Sequence, residues 1–193
     1  MPFLDPPPVA AWRHVDARDG FEVVFLSPHD GGWRIEGSTS AVEEGEPWTV
    51  GYVIDVDAGW RTRRAVLTNH ARAGRAQRTI ESDGAGHWTV DGAPAPELDG
   101  YVDVDLESSS FTNTFPVHRL AHEPGAVAPA PAVYVRADDL RVERLHQTYE
   151  RLPGEGGRHR FHYTSPAFDT SCELVYDASG LVLDYPGIAV RTY

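Results

Sequence analysis

Apolar side chains recur at every second position over most of this chain, the spacing of half-buried strands rather than of helices. Trp33, Ile35, Gly37, Thr39 and Ala41 alternate with Arg34, Glu36, Ser38 and Ser40. Trp48, Val50, Tyr52, Ile54 and Val56 alternate with Thr49, Gly51, Val53 and Asp55. Phe21, Val23 and Phe25 interleave with Glu22, Val24 and Leu26, which predicts a strand apolar on both faces. After a turn at Asp57–Gly59, Trp60, Thr62, Arg64 and Val66 are expected on one face and Arg61, Arg63, Ala65 and Leu67 on the other. Gly74, the cluster at 83–86 and Asp91-Gly92 punctuate further short strands, the last being a hairpin signal.

The second half of the chain is less regular. Residues 1–11 are rich in proline, and Pro6, Pro7 and Pro8 hold them extended. Ala121–Ala132 is predicted as a loop, either a plain surface connection or a lid. Over Val133–Leu152 two periods compete: Leu140, Leu145, Tyr149 and Leu152 fit a helix face, while Val142, Arg144, His146 and Thr148 alternate. A turn near Asp138–Leu140 followed by a strand is preferred, because the strand can then pair with His159–Thr164 across residues 153–157. Cys172–Tyr176 with Leu181–Tyr185, and then Ile188–Arg191, close the chain as strands. No helix of ten residues or more is predicted, and no internal repeat is present. The expected fold is all-β and mainly antiparallel, a single domain over residues 1–193. Arg, Asp and Asn share strand faces with bulky aromatics, which suits a curved sheet around a cavity better than a dry sandwich.

The densest chemistry lies in Glu97–Leu120, ELDGYVDVDLESSSFTNTFPVHRL. Its first part alternates, sending Val102, Val104 and Leu106 to one face and Tyr101, Asp103 and Asp105 to the other, the carboxylates roughly 6.5–7 Å apart at the backbone. After Ser108, Ser109 and Ser110 a second extended run is expected, with Phe111, Asn113, Phe115, Val117 and Arg119 on one face and Thr112, Thr114, His118 and Leu120 on the other. Large apolar groups interleaved with two acids, an amide and a guanidinium suit a pocket with oily walls and a few polar anchors.

Charge and cysteine content narrow the partners. The 193 residues carry a formal charge of −12, and all 17 basic residues are arginine. This balance argues against nucleic acid and against docking on an anionic membrane. A single cysteine, Cys172, permits neither an intrachain disulfide nor a cysteine metal cluster. The nine histidines are scattered, and His159 and His162 point to opposite faces of a strand, so no metal or cofactor is expected. No stretch is apolar and long enough for a secretory signal or a membrane span, so a cytoplasmic location without stable membrane insertion is expected.

Several segments together resemble a bacterial family named putative glycolipid-binding: GWRIEGSTSAVEEGEPWTVGYVIDVDAGW, HWTVDG, LDGYVDVDLESSSFTNTFPVHRL and LVLDYPGIAVR. The resemblance runs from Trp12 to about Arg191, and its most specific part is the DxDL…FTNTFPVxRL run. It implies a fold similar to the bacterial lipoprotein-localisation carriers, a strongly curved, incompletely closed antiparallel sheet around an apolar cavity. It implies no catalytic set. The expected function is therefore to hold an amphiphile, a glycolipid or fatty-acyl compound, in a β-sheet cavity. Asp103, Asp105, Asn113 and Arg119 are the candidate polar contacts, and Trp60, Tyr101, Phe111, Phe115, Tyr52 and Tyr185 the candidate walls, with Trp33, Trp48, Tyr149, Tyr163 and Phe168 as further aromatics. Arg119 either forks onto an anionic head group or pairs internally with Asp103 or Asp105. Asn113 is either a ligand contact or a turn-former. The alternative is a cavity hydrolase using the Asp103/Asp105 pair, whose spacing is compatible with retaining glycoside hydrolysis.

Overall fold

The computed structural model describes residues 3–120 and 123–193. It is nearly all-β, as the period of two predicts. Six long or moderately long strands open the chain: β1 (Val9–His14), β2 (Asp19–His29), β3 (Gly32–Glu43), β4 (Glu46–Val56), β5 (Thr62–Ala71) and β6 (Gly74–Ser82). β7 (Trp88–Val90) and β8 (Ala93–Pro94) follow, then β9 (Asp103–Leu106), β10 (Val127–Pro129), β11 (Ala132–Val135) and β12 (Val142–Leu145). The chain ends in β13 (Thr148–Glu155), β14 (Arg158–Ser165), β15 (Thr170–Tyr176), β16 (Val182–Tyr185) and β17 (Ala189–Arg191).

Fourteen strands form one antiparallel sheet in the order β10-β13-β14-β15-β16-β17-β1-β2-β3-β4-β5-β6-β7-β8. The edge strands β10 and β8 do not pair with each other, so the sheet curves without closing. The pairing of β17 with β1 joins the two ends of the chain and makes the sheet continuous. β9, β11 and β12 form a separate three-stranded sheet in which β9 and β11 run parallel. Every residue of β9 and β11 is buried. Val104, Leu106, Val133 and Val135 belong to the same apolar cluster as Val24, Ile35, Ile54 and Leu67 of the large sheet, so the small sheet fills part of the hollow.

The rest is filled by a segment that the period of two predicts as a strand. Phe111–Asn113 form a 3-10 turn and Thr114–Arg119 a short α-helix, α1. The misreading has a simple cause. Phe111, Phe115 and Arg119 recur every four residues as well as every two, so both periods fit. Pro116 is tolerated because it lies in the first turn, where its missing N–H has no helical partner to lose. Phe111 and Phe115 pack into the cluster of β1–β6, while Val117 packs into a second cluster with Tyr149, Phe161 and Tyr176 of β13–β15.

Two further differences concern local phase. In β5 the alternation slips at Arg63, where the register with β4 shifts between Asp55 and Val56. Thr62 therefore faces inward with Ala65 and Leu67, and not with Arg64 and Val66 as predicted. The Ala121–Ala132 loop, whose first two residues lie outside the described part, contains the edge strand β10. The predicted pairing across residues 153–157 is present as the β13–β14 hairpin.

Candidate functional site

Polar residues on the inner face of the large sheet hold the inner layer by its backbone. Glu22, Thr39 and Asn69 lie on β2, β3 and β5, in one cross-strand row with Trp12 and Val50. Fully buried Glu22 accepts hydrogen bonds from Tyr52 Oη at 2.6 Å, from the Ser109 hydroxyl and from the Ser110 backbone N–H at 2.8 Å. Thr39 donates to the Ser108 carbonyl at 2.7 Å. Asn69 donates to the carbonyls of Ala137 and Asp138 at 3.1 and 2.7 Å. Thr62 accepts from the Val104 N–H at 3.0 Å. Buried polar groups need such partners, and here they fix where the inner segment lies. Gly37 is part of the same device. A Cβ there would sit 2.1 Å from Tyr52 Cζ, so only glycine lets the Tyr52 ring lie across β3 and reach Glu22.

The two aspartates of β9 have separate fates. Asp103, 1% exposed, forms a two-pronged ion pair with Arg119, whose Nη1 lies 2.6 Å from Oδ1. The same Nη1 also donates to the Trp60 and Phe115 carbonyls at 3.1 Å. Burial pushes the Asp103 carboxyl up to about 6, with the Arg119 guanidinium opposing the shift, so the pair is ionic at pH 7. Asp105, 7% exposed, has no basic partner among the described residues. It accepts a hydrogen bond from the Thr112 hydroxyl at 2.9 Å. Burial pushes its carboxyl up to about 7, Thr112 and Gln147 oppose that by hydrogen bonding, and the Asp103 charge adds to it.

Asp105 lines a cleft of about 250 Å³ between the inner layer and the large sheet. Ser109 and Asn113 share its inner wall, Tyr163 and Tyr185 come from β14 and β16, and Tyr134 comes from β11. Asn113 is fixed by Tyr149, which donates to its Oδ1 at 2.8 Å. Tyr163 and Tyr185 meet edge to face at 5.9 Å, and Tyr134 and Phe168 lie 5.2 Å apart. Phe168 is 40% exposed and stands where the cleft meets solvent. Burial raises the pKa of all three tyrosines, so they are neutral hydroxyls at physiological pH. Among the described residues Arg18 is the sole basic one of the lining, and it is already engaged. It donates to the Glu107 carbonyl at 3.2 Å, lies 3.6 Å from the Glu43 carboxylate and stacks over Trp48.

Of the residues singled out from sequence, the structure brings Asp105, Asn113 and Tyr185, with the further aromatics Tyr163 and Phe168, together at this cleft. Asp103 and Arg119 pair with each other instead, and Phe111 and Phe115 are core side chains with no exposure. Tyr52 is tied to Glu22. Trp60 stacks on His118 at 3.9 Å toward the N-terminal arm, and Tyr101 meets the edge of His146. With Asp103 committed to Arg119, the two carboxylates do not form a free acid–base pair. Glu22, Ser109, Tyr134 and Arg18 were not anticipated. Glu22 did carry a signal, an acid in phase with Val24 and Leu26 on a strand apolar on both faces. Among the described residues, no three His, Cys, Asp or Glu side chains are grouped to hold a metal ion.

Comparison with known proteins agrees with this architecture. The model of a family described as "Putative glycolipid-binding" matches residues 9–191. A crystal structure of a DUF1089 family protein from Pseudomonas aeruginosa superposes with a TM-score of 0.74 at 32% sequence identity, covering 89% of this chain and 92% of that one. No curated protein matches. The match spans both the outer sheet and the inner layer that builds the cleft, and on that extent the chain belongs to the family so described.

Proposed function

We propose that the protein binds an amphiphile by its polar head, which enters the cleft floored by Asp105 while the apolar tail leaves past Phe168. The observation that carries this reading is the pairing of a buried carboxyl, without a basic partner among the described residues, with a lining of neutral tyrosine hydroxyls and one fixed amide. A volume of about 250 Å³ lies just under the roughly 300–1,000 Å³ typical of complete small-molecule sites. It suits a sugar-sized head and not a whole lipid. Because the core side chains Phe111 and Phe115 occupy the hollow of the sheet, the oily interior serves stability and the polar cleft serves recognition. The family description, which names glycolipids, supports a head group rich in hydroxyls. Aromatic faces suit the C–H surface of such a ring, and tyrosine hydroxyls suit its oxygens.

Native mass spectrometry of the purified protein, followed by titration with short-chain alkyl glycosides, tests the proposal. Retained lipid or one-to-one glycoside complexes are expected. A protein that repeatedly emerges empty and ignores every amphiphile offered contradicts it. Hydrolysis by an Asp103/Asp105 pair is not favoured, since Arg119 holds one of the two carboxylates in an ion pair.

A further inference from the structure

We infer that the head group taken by the cleft carries a protonated amine, as in an amino sugar, and that Asp105 is its counter-ion. This rests on the head-group reading above and names the chemistry that the head must bring. Among the described residues three acids, Glu43, Asp105 and Glu107, line the cleft against one base, Arg18. The outer two acids are neutralised from within the protein. Glu43 lies beside Arg18, and Glu107 takes Arg136 at 3.0 Å and the Ala137 N–H at 2.8 Å. Asp105 alone is left with hydroxyl and amide partners, at the buried end of the same space. A buried carboxylate without a cation is costly, and an arriving ammonium removes that cost. Tyr163 and Tyr185 line the same space, and aromatic rings attract a cation near them. A phosphate or sulfate head finds the reverse, since Arg18 is engaged by Glu43 and by the Glu107 carbonyl.

Proton linkage supports the same assignment. The empty site holds Asp105 largely protonated below about pH 7, so an ammonium must displace that proton to form the ion pair. The titratable groups that sense the Asp105 charge are Asp103 on its own strand, Tyr134 on β11, Tyr149 on β13, Tyr163 on β14, Tyr176 on β15 and Tyr185 on β16. The five tyrosines stay neutral over the working range; Asp103, raised to about 6 and paired with Arg119, and Glu22, raised by burial and bonded to Ser109, lie outside the cleft lining, which leaves Asp105 as the lining group whose shifted titration an arriving head group meets.

Octyl glucosaminide and octyl glucoside differ only by an amine in place of a hydroxyl, and calorimetric titration of both tests the inference. At pH 7 the glucosaminide is expected to bind at least about tenfold more tightly. Between pH 5 and 6.5 its affinity should rise by close to tenfold per pH unit, as one linked proton requires, while that of the glucoside stays flat. Asp105→Asn, which keeps an acceptor for Thr112, should erase the preference for the glucosaminide and the pH slope. Equal binding of the two glycosides, or a preference that survives in D105N, overturns the amine assignment and leaves the head-group reading standing. Binding of neither overturns both. The pH slope is read on the unaltered protein, so the inference is testable even if D105N does not fold.

Discussion

Replacing Asp105 by asparagine is expected to make the protein more stable at alkaline pH and to flatten its dependence on pH. Burial moves this carboxyl from an ordinary 3.8 up to about 7 in the folded state. Between those values the folded protein keeps a proton that the unfolded chain has released, so stability falls as pH rises from about 4 to about 7. Each pH unit of that difference corresponds to about 1.4 kcal/mol, which sets a ceiling of roughly 4 kcal/mol for the whole interval. Over pH 5–8, where other carboxylates contribute little to the difference between variants, the share of Asp105 amounts to roughly 2–3 kcal/mol. Asparagine fills nearly the same volume, accepts from Thr112 as before and carries no titratable proton. Urea unfolding of both proteins at pH 5, 6.5 and 8 reads the effect directly, because Asp103 and Glu22, also shifted upward by burial, cancel in the comparison. The two stabilities should be similar at pH 5 and diverge in favour of D105N by pH 8. Parallel curves would falsify the placement of Asp105 as a buried acid without a cation.

Three other outcomes follow from the same packing. Arg119→Met leaves Asp103 buried without its cation and should cost about 3–5 kcal/mol, most of it recovered when Asp103→Leu is added, as chemical denaturation of single and double variants will show. Gly37→Ala forces the Tyr52 ring off β3 and should destabilise by about 1–3 kcal/mol, yet be nearly neutral in a Tyr52→Ala background. A full-sized loss in that background would mean the ring is not the obstacle. Cys172 has its thiol raised from 9.0 to about 11 by burial, so its thiolate fraction, and its rate with a disulfide reagent at pH 7.5, should be about a hundredfold below that of the urea-unfolded chain. Fast labelling of the folded protein contradicts this.

The strands were legible because one face of each is wet and the other dry, which stamps a period of two on the sequence from Trp33 to Val56 with little ambiguity. The slip at Arg63 was not legible. A bulge inserts one residue without changing composition, and only the pairing of Asp55 and Val56 with β5 reveals it. The helix was missed because Phe111, Phe115 and Arg119 satisfy both periods, and because the turn that leads into it is held by Glu22 and its last residue by Asp103, groups outside the segment. The same distance hid much of the cleft. Asp105, Asn113 and Tyr185 stood out as polar or aromatic residues in apolar company, but Ser109, Tyr134 and Arg18 acquire their roles only when β2, β9 and β11 converge. Arg, Asp and Asn among aromatics suggested a decorated cavity, but the inward polar residues Thr39 and Asn69 face a filled one. Their partners prove to be the carbonyls of Ser108, Ala137 and Asp138 in the inner layer.

Chemical-shift mapping with octyl glucosaminide tests most directly whether recognition happens at the Asp105 cleft. Backbone and side-chain amide signals should move at Ser109, Asn113, Tyr134, Tyr163 and Tyr185 and stay still around Trp33, Trp60 and the outer face bearing Phe21 and Phe25. Shifts clustered at the Trp60 end or on that outer face, with Asn113 and Tyr185 undisturbed, would place any binding elsewhere and contradict the account.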